Sequence, residues 1–313
     1  MIIREAHTED LENIISVLKA SLGETSSKKT SDVWKYKHVA NPFGKSLVLV
    51  AEEDGEIIGV RAFMRWKWKL GSQTFSAFRA VDTATHPDHQ GKGIFKKLTL
   101  KALELAEQSG DHFVFNTPNS QSKPGYLKMG WQEVGKVRTQ IIPQSPFRFL
   151  QTARKTPVYD HEKPLNDLSD LLKIYNQRRL EEAKLYTPKS MEYLTWRYSE
   201  NKIQQYFISS DQDHYVAAYL KDRGKILELR ISEMIFVDQI GKDKIRKFIN
   251  QLSSQYKAII ISHNSLEKFS KFEIKGNFGP VLTFKNITCK SKDYEKFLED
   301  SSWNYTIGDL ELF

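Results

Sequence analysis

Val81-Asp82-Thr83-Ala84-Thr85-His86-Pro87-Asp88-His89-Gln90-Gly91-Lys92-Gly93-Ile94-Phe95-Lys96-Lys97-Leu98 is the stretch that decides the fold. Apolar and β-branched residues up to Thr85 spell a strand, and Pro87 with two glycines breaks it. A helix then opens, with Ile94, Leu98, Leu103 and Leu105 on its apolar face. Glycines let a ligand approach the backbone closely, and the first amides of a helix point outward at the positive end of its dipole. Strand, glycine turn and helix together make an anion cradle suited to a pyrophosphate. Two nucleotide cradles are excluded: Gly91 and Gly93 lack the third glycine of G-x-G-x-x-G, and no Gly-Lys-Ser or Gly-Lys-Thr occurs.

Around this stretch the chain alternates strands and helices. A short strand at 2–5 precedes a helix capped by Thr8 that carries Leu11, Ile14, Ile15, Leu18 and Leu22. Strands at 47–51, 57–70 and 74–85 follow, turned at Asp54-Gly55 and Gly71-Ser72. After the helix come a buried strand at 112–115, a small helix around Tyr126 and a strand at 132–142. Pro143, Pro146, Pro157 and Pro164 mark a connection, which sets a first domain at 1–145 and a second at 160–313. The second half repeats the first in outline: Trp34-Lys35-Tyr36 with Asn41 is echoed by Trp196-Arg197-Tyr198 with Asn201. Strands at 206–209, 215–221 and 226–237, a helix at 243–252, a strand at 258–262, a short helix at 266–272 and a last strand at 281–284 continue the parallel. The expectation is an α/β (α+β) chain with a mixed central sheet flanked by helices, followed by a second unit of the same kind.

Gln90-Gly91-Lys92-Gly93-Ile94-Phe95 resembles the acetyl-CoA motif Q/R-x-x-G-x-G/A of the GCN5-related N-acetyltransferase (GNAT) family, with His86-Pro87 and Leu98 also in the family's places. Phe95 departs from it, standing where the family prefers Gly or Ala. A second motif lies at Asn119, Tyr126, Gly130 and Trp131, which keeps the family's spacing of Asn, Tyr, Gly and Phe with Trp for the Phe. The resemblance implies the GNAT fold, acetyl-CoA as co-substrate and direct transfer in a ternary complex without a metal or a covalent enzyme intermediate. Gln90, Gly91, Lys92, Gly93, Ile94 and Phe95 would then hold the pyrophosphate. Thr83 and Thr85 would pair with the pantetheine through the main chain of a strand splayed from its neighbour. Asn119, or the nearby Asn116, would hydrogen-bond the same arm, and Tyr126 would protonate the departing thiolate. Asp82 would assist deprotonation of the amine, directly or through water, or else be a surface or turn-capping carboxylate. Without the resemblance, Gly91 and Gly93 would read as a plain turn, Tyr126 as a core aromatic, and His86 and His89 as loop histidines.

Residues 61–70 place Ala62, Met64, Trp66, Trp68 and Leu70 on one face and Arg61, Arg65, Lys67 and Lys69 on the other. That strand reads either as an ordinary half-buried strand or as an acceptor wall for an amino sugar or nucleotide sugar. In the second half the matching stretch is Asp238-Gln239-Ile240-Gly241-Lys242, with one glycine and a carboxylate at the helix start, so it is expected to be a degenerate copy without a cofactor. Composition narrows the classes further: 40% hydrophobic residues suit a globular chain, and a net charge of +8 is dispersed without a groove-reading motif, which argues against nucleic acid as partner. No apolar run reaches the roughly 20 residues of a membrane span and none near Met1 suits a signal peptide, so neither membrane insertion nor export is expected. The single cysteine, Cys289, allows no intrachain disulfide and suits a reducing cytoplasm. The function implied is N-acetylation of a small-molecule amine. The alternative is a non-catalytic acyl-CoA-binding regulatory protein, marked by Phe95.

Overall fold

The computed structural model describes residues 1–23, 28–145, 156–159 and 166–310; Pro146 and Pro164 of the expected connection lie outside them. The chain divides into two compact units. The first comprises Met1–Gly135 with Pro280–Trp303, and the second Lys136–Gly279 with a segment that starts at Asn304.

In chain order the strands are β1 (Ile2–Glu5), β2 (Leu47–Glu53), β3 (Glu56–Leu70), β4 (Gln73–Thr85), β5 (Phe113–Asn116), β6 (Gln132–Lys136), β7 (Thr139–Pro143), β8 (Phe207–Asp211), β9 (His214–Arg223), β10 (Ile226–Phe236), β11 (Ile260–His263), β12 (Ile274–Gly276) and β13 (Val281–Asn286). The helices that matter below are α1 (Leu11–Leu22), α2 (Ser31–His38), α3 (Ile94–Gln108), α4 (Lys123–Lys128), α5 (Ser169–Glu181), α6 (Met191–Leu194) and α7 (Gln239–Tyr256). The first sheet runs β1-β2-β3-β4-β5-β13-β6 and the second β12-β7-β11-β10-β9-β8. Apart from β1, the two orders match strand for strand. Each has a parallel pair at its centre, β4 with β5 and β10 with β11, and the pairs β1–β2, β2–β3, β3–β4, β5–β13, β7–β11, β7–β12, β8–β9 and β9–β10 are antiparallel. This is the mixed, helix-flanked architecture expected, present twice.

The matching orders hold only because the two halves exchange a strand. β13, from the end of the chain, lies between β5 and β6 in the first sheet, with Thr283 opposite Asn116. β7, from the first half, lies between β11 and β12 in the second, with Ile142 opposite Ile261. The single strand expected at 132–142 is therefore two, parted at Val137-Arg138, and the last strand of the second half completes the first sheet. The division is accordingly not the linear one at 145 and 160. Alternation of apolar and polar residues specifies a strand but carries no information about which sheet will take it. The short helix expected at 266–272 is also absent; Phe269 is instead a core residue, packed with Ile245, Ile249 and Ile261.

In the first unit, Leu49, Phe63, Phe78 and Ala80 of the sheet meet Ile94, Leu98, Ala102 and Ala106 of α3. These are the positions that give α3 its apolar stripe. Trp66 and Trp68 are completely buried, edge-on to Phe115, and Trp68 also to Trp303. They are core, and the expectation of an aromatic acceptor wall on β3 fails.

Two buried histidines make stability depend on pH. His263 faces Glu273 at 3.7 Å, and burial, outweighing that carboxylate, pushes its pKa down to about 4. Burial likewise lowers His38 against the pull of Asp82. An unfolded chain binds protons on these imidazoles near pH 6.5 while the folded chain resists, so their contribution is complete above pH 6.5 and is lost as pH falls. The midpoint of urea unfolding should fall from pH 7 to pH 4.5, with a shallower slope in His263→Gln. An unchanged slope in that variant would remove His263 from the account.

Candidate active site

β4 is bound to β3 along its whole length, but its parallel pairing with β5 covers only Ala77–Arg79 against Phe113–Phe115. Past Arg79 the two strands part, so among the described residues the main chain from Ala80 to Thr85 has an edge with no strand beside it. Within this segment the register against β3 slips, leaving Asp82 as an extra residue at φ +39°. Such a bulge re-aims the side chains that follow, and a non-glycine residue at that φ in a strand marks strain held by its surroundings.

Thr85 leads through a short turn into α3. Gly91 and Gly93 stand at φ +78° and +73°, in left-handed backbone that a side chain strains, while a Cβ at either would meet nothing within 4 Å. The glycines serve conformation, not packing. α3 has no side-chain cap at Gly93. Among the described residues the amides of 91–96 have no hydrogen-bond acceptor, whereas Lys97 already donates to Gly93. The end of β4 and this turn line one cleft of about 440 Å³, which brings together Thr83, Thr85, Gln90, Gly91, Gly93, Ile94 and Phe95 with Ser21 and His89. Lys92 lies beside it, its ammonium donating to Glu53 at 3.2 Å.

The corresponding place in the second unit is built differently. Asp238 caps α7 by accepting from the amide of Gly241 at 2.9 Å, so a carboxylate of the chain itself stands at that helix start and takes one of its amides. Gly241 is there for close packing, since a Cβ would lie 2.2 Å from the carbonyl oxygen of Asp213. The ring of Phe269 packs against Phe236 at the end of β10 and His263 at the end of β11, with the Lys242 ammonium 5.6 Å from its centroid.

Beyond β5, Asn119 accepts from the amides of Gln121 and Ser122 at 3.1 and 2.9 Å, which fixes the turn into α4. Asn116 is buried, with its side-chain oxygen accepting from Thr283 at 2.6 Å. Both carbonyls are thus occupied by the fold, leaving each side chain its NH₂ group. Tyr126 is 4% exposed, its ring edge-on to Phe95 at 5.5 Å and tilted against Trp131 at 5.1 Å. Its hydroxyl accepts from Nη1 of Arg61 at 2.7 Å. The same nitrogen donates to Thr83 Oγ1. Phe95 is accommodated by Gly125, where a Cβ would stand 2.9 Å from the Phe95 ring. The bulk of the residue that departs from the motif is therefore matched by a glycine beside Tyr126.

A profile of the acetyltransferase (GNAT) domain matches residues 2–134. Residues 2–134 are a GNAT acetyltransferase domain. The L-amino acid N-acyltransferase MnaT of Escherichia coli is 33% identical over 105 residues, 33% of this chain and 56% of that protein. An L-methionine sulfoximine/L-methionine sulfone acetyltransferase of Salmonella typhimurium is 33% identical over 78 residues, 24% of this chain and 42% of its own length. The chain thus spans about half the length of these relatives. A GCN5-related N-acetyltransferase from Anabaena variabilis superposes with a TM-score of 0.64 over 92% of this chain and 73% of its own, at 13% identity, which shows a shared fold.

Within the GNAT domain Asp82 is not a free carboxylate. Its Oδ2 binds Lys37 Nζ and His38 Nε2, the latter at 2.9 Å. Burial alone would raise its pKa, but Lys37 and His38 overcome this and hold it well below the usual carboxylate range. A carboxylate so stabilised is a poor base. His38, lowered by burial, is the better one: with Nε2–H given to Asp82, its Nδ1 faces Ser46 Oγ at 2.8 Å. Sequence reasoning missed Lys37, His38 and Ser46, because none stands in a motif and only packing brings Lys37 and His38 to Asp82 and Ser46 to His38; Arg61 it placed only on the cationic face of β3, with no sign of its contact with Tyr126. His86 accepts from the amide of Asp88, and His89 lies 3.4 Å from Glu53. Among the described residues no cluster of His, Cys, Asp and Glu is arranged to hold a metal, and no helix is long and apolar enough to cross a membrane. Cys289 is buried, which pushes its thiol up to about 12.

Proposed function

We propose that this chain is an acetyl-CoA-dependent N-acyltransferase that acts on the amine of a small molecule by direct transfer in a ternary complex, with the GNAT domain as its working half. The observation that carries this reading is the cleft where an unpaired edge of β4 meets a run of free amides. One is suited to a pantetheine amide chain and the other to a pyrophosphate. Gln90 and the amides of 91–96 hold the phosphates, the main chain at Thr83 and Thr85 pairs with the arm, and the NH₂ groups of Asn116 and Asn119 are left to reach it. When bound, acetyl-CoA supplies an activated acyl thioester. Tyr126 gives its proton to the sulfur. His38, oriented by Asp82, accepts the proton of the incoming amine through the Ser46 hydroxyl, which recasts Asp82 from base to orienting partner.

The amino-sugar acceptor rested on Trp66 and Trp68, which are core, so the names of the two bacterial relatives favour an amino-acid amine instead. The second unit is read as a degenerate copy without a cofactor, supported by the Asp238 cap and by Phe269. A reducing cytoplasm suits the buried thiol of Cys289. The regulator reading rests on Phe95, whose ring Gly125 accommodates.

Titration calorimetry of acetyl-CoA into the protein should give one site per chain, and a panel of amino acids should then release free thiol. Binding without thiol release for any amine would favour the regulator. No binding would remove both readings.

A further inference from the structure

We propose that Arg61 is the positioning residue of acyl transfer: it aims the Tyr126 proton at the coenzyme sulfur, and its uncompensated charge stabilises the departing thiolate. The inference rests on the acyltransferase reading. Arg61, on β3, is completely buried. Its guanidinium lies over the rings of Phe63, Tyr126 and Phe95, at 4.7, 5.2 and 5.7 Å from their centroids. Among the described residues it has no carboxylate partner, and its Nε and Nη2 have no hydrogen-bond acceptor. A buried charge left unpaired is costly, and a fold keeps one where a function needs it. It sits behind the lining of the cleft, in contact with two residues that form it, Thr83 and Phe95.

The direction of the hydrogen bonds follows from chemistry. A guanidinium has donors only, so the Tyr126 oxygen must accept from Nη1, and the phenol hydrogen has to point elsewhere. Thr83 also accepts from Nη1, and its own hydrogen goes to the carbonyl of Val81 at 3.3 Å. The phenol proton is left without an acceptor among the described residues, ready for transfer. In the reaction the acceptor nitrogen forms the new C–N bond and loses its proton towards His38 through Ser46, the C–S bond breaks with its electron pair on sulfur, that sulfur takes the Tyr126 proton, and the phenolate left behind is reprotonated from water before the next turnover. Negative charge therefore develops beside a buried cation that no described carboxylate neutralises, where a preorganised charge acts most strongly.

Free coenzyme A bound to the protein tests this without turnover, because its thiolate absorbs in the ultraviolet. In the wild type the bound thiol should ionise about one pH unit or more below the usual value near 8.5. Tyr126→Phe should keep that shift, and Arg61→Met should abolish it while binding coenzyme A within a few-fold of wild type. An equal shift in wild type and Arg61→Met overturns the proposal. If Arg61→Met does not fold, Arg61→Lys decides: retained charge should preserve the thiol shift, and loss of that shift in a folded Arg61→Lys overturns it. Failure of the wild type to bind coenzyme A at all would instead overturn the acyltransferase reading beneath it.

Discussion

Tyr126→Phe is expected to lower kcat by about 100-fold while leaving the affinity for acetyl-CoA nearly unchanged, the loss typical of removing a general acid. The ring contacts with Phe95 and Trp131 survive the change, so the variant should fold. What disappears is the hydroxyl that Arg61 holds at 2.7 Å and the proton it carries. Thiol release measured at saturating acetyl-CoA reads the loss directly. A rate within about threefold of wild type would return Tyr126 to the core.

Gly93→Asp should weaken acetyl-CoA binding by about 100-fold or more and leave the fold intact. A Cβ at this position meets nothing within 4 Å, so the cost to folding is confined to left-handed backbone, on the order of 1 kcal/mol. The carboxylate would take the free amides at the start of α3 for itself and repel a pyrophosphate, reproducing on the first unit what Asp238 does on the second. Calorimetry on the folded variant is the measurement. Affinity within a few-fold of wild type would move the phosphates away from this turn.

How far the sequence was readable divides along a physical line. The cleft was legible because local chemistry writes it: Gly91 and Gly93 are demanded by backbone conformation, and the departure of β4 from β5 follows a strand the motif already located. Tyr126 was marked as a candidate by its spacing from Asn119 and Gly130. What surrounds Asp82 was not, because Lys37 and His38 come from a helix more than forty residues away, and only packing decides that they meet the bulge. Trp66 and Trp68 alternate correctly for a wall and equally well for a core, and Trp303, which settles the matter, is remote in sequence. The partners of β7 and β13 were hidden for a related reason: each strand has the pattern of its own half and the hydrogen bonds of the other.

That exchange bears on how the protein is made. On a ribosome adding about 5–20 residues per second, β6 emerges roughly 7–30 seconds before β13, the strand that fills the gap beside it. Throughout that interval the nascent first unit carries two open strand edges, at β5 and β6, of the kind that recruit neighbouring chains. Having lent its last strand, the second half cannot be deleted by evolution or by a protein engineer without leaving the first sheet unfinished.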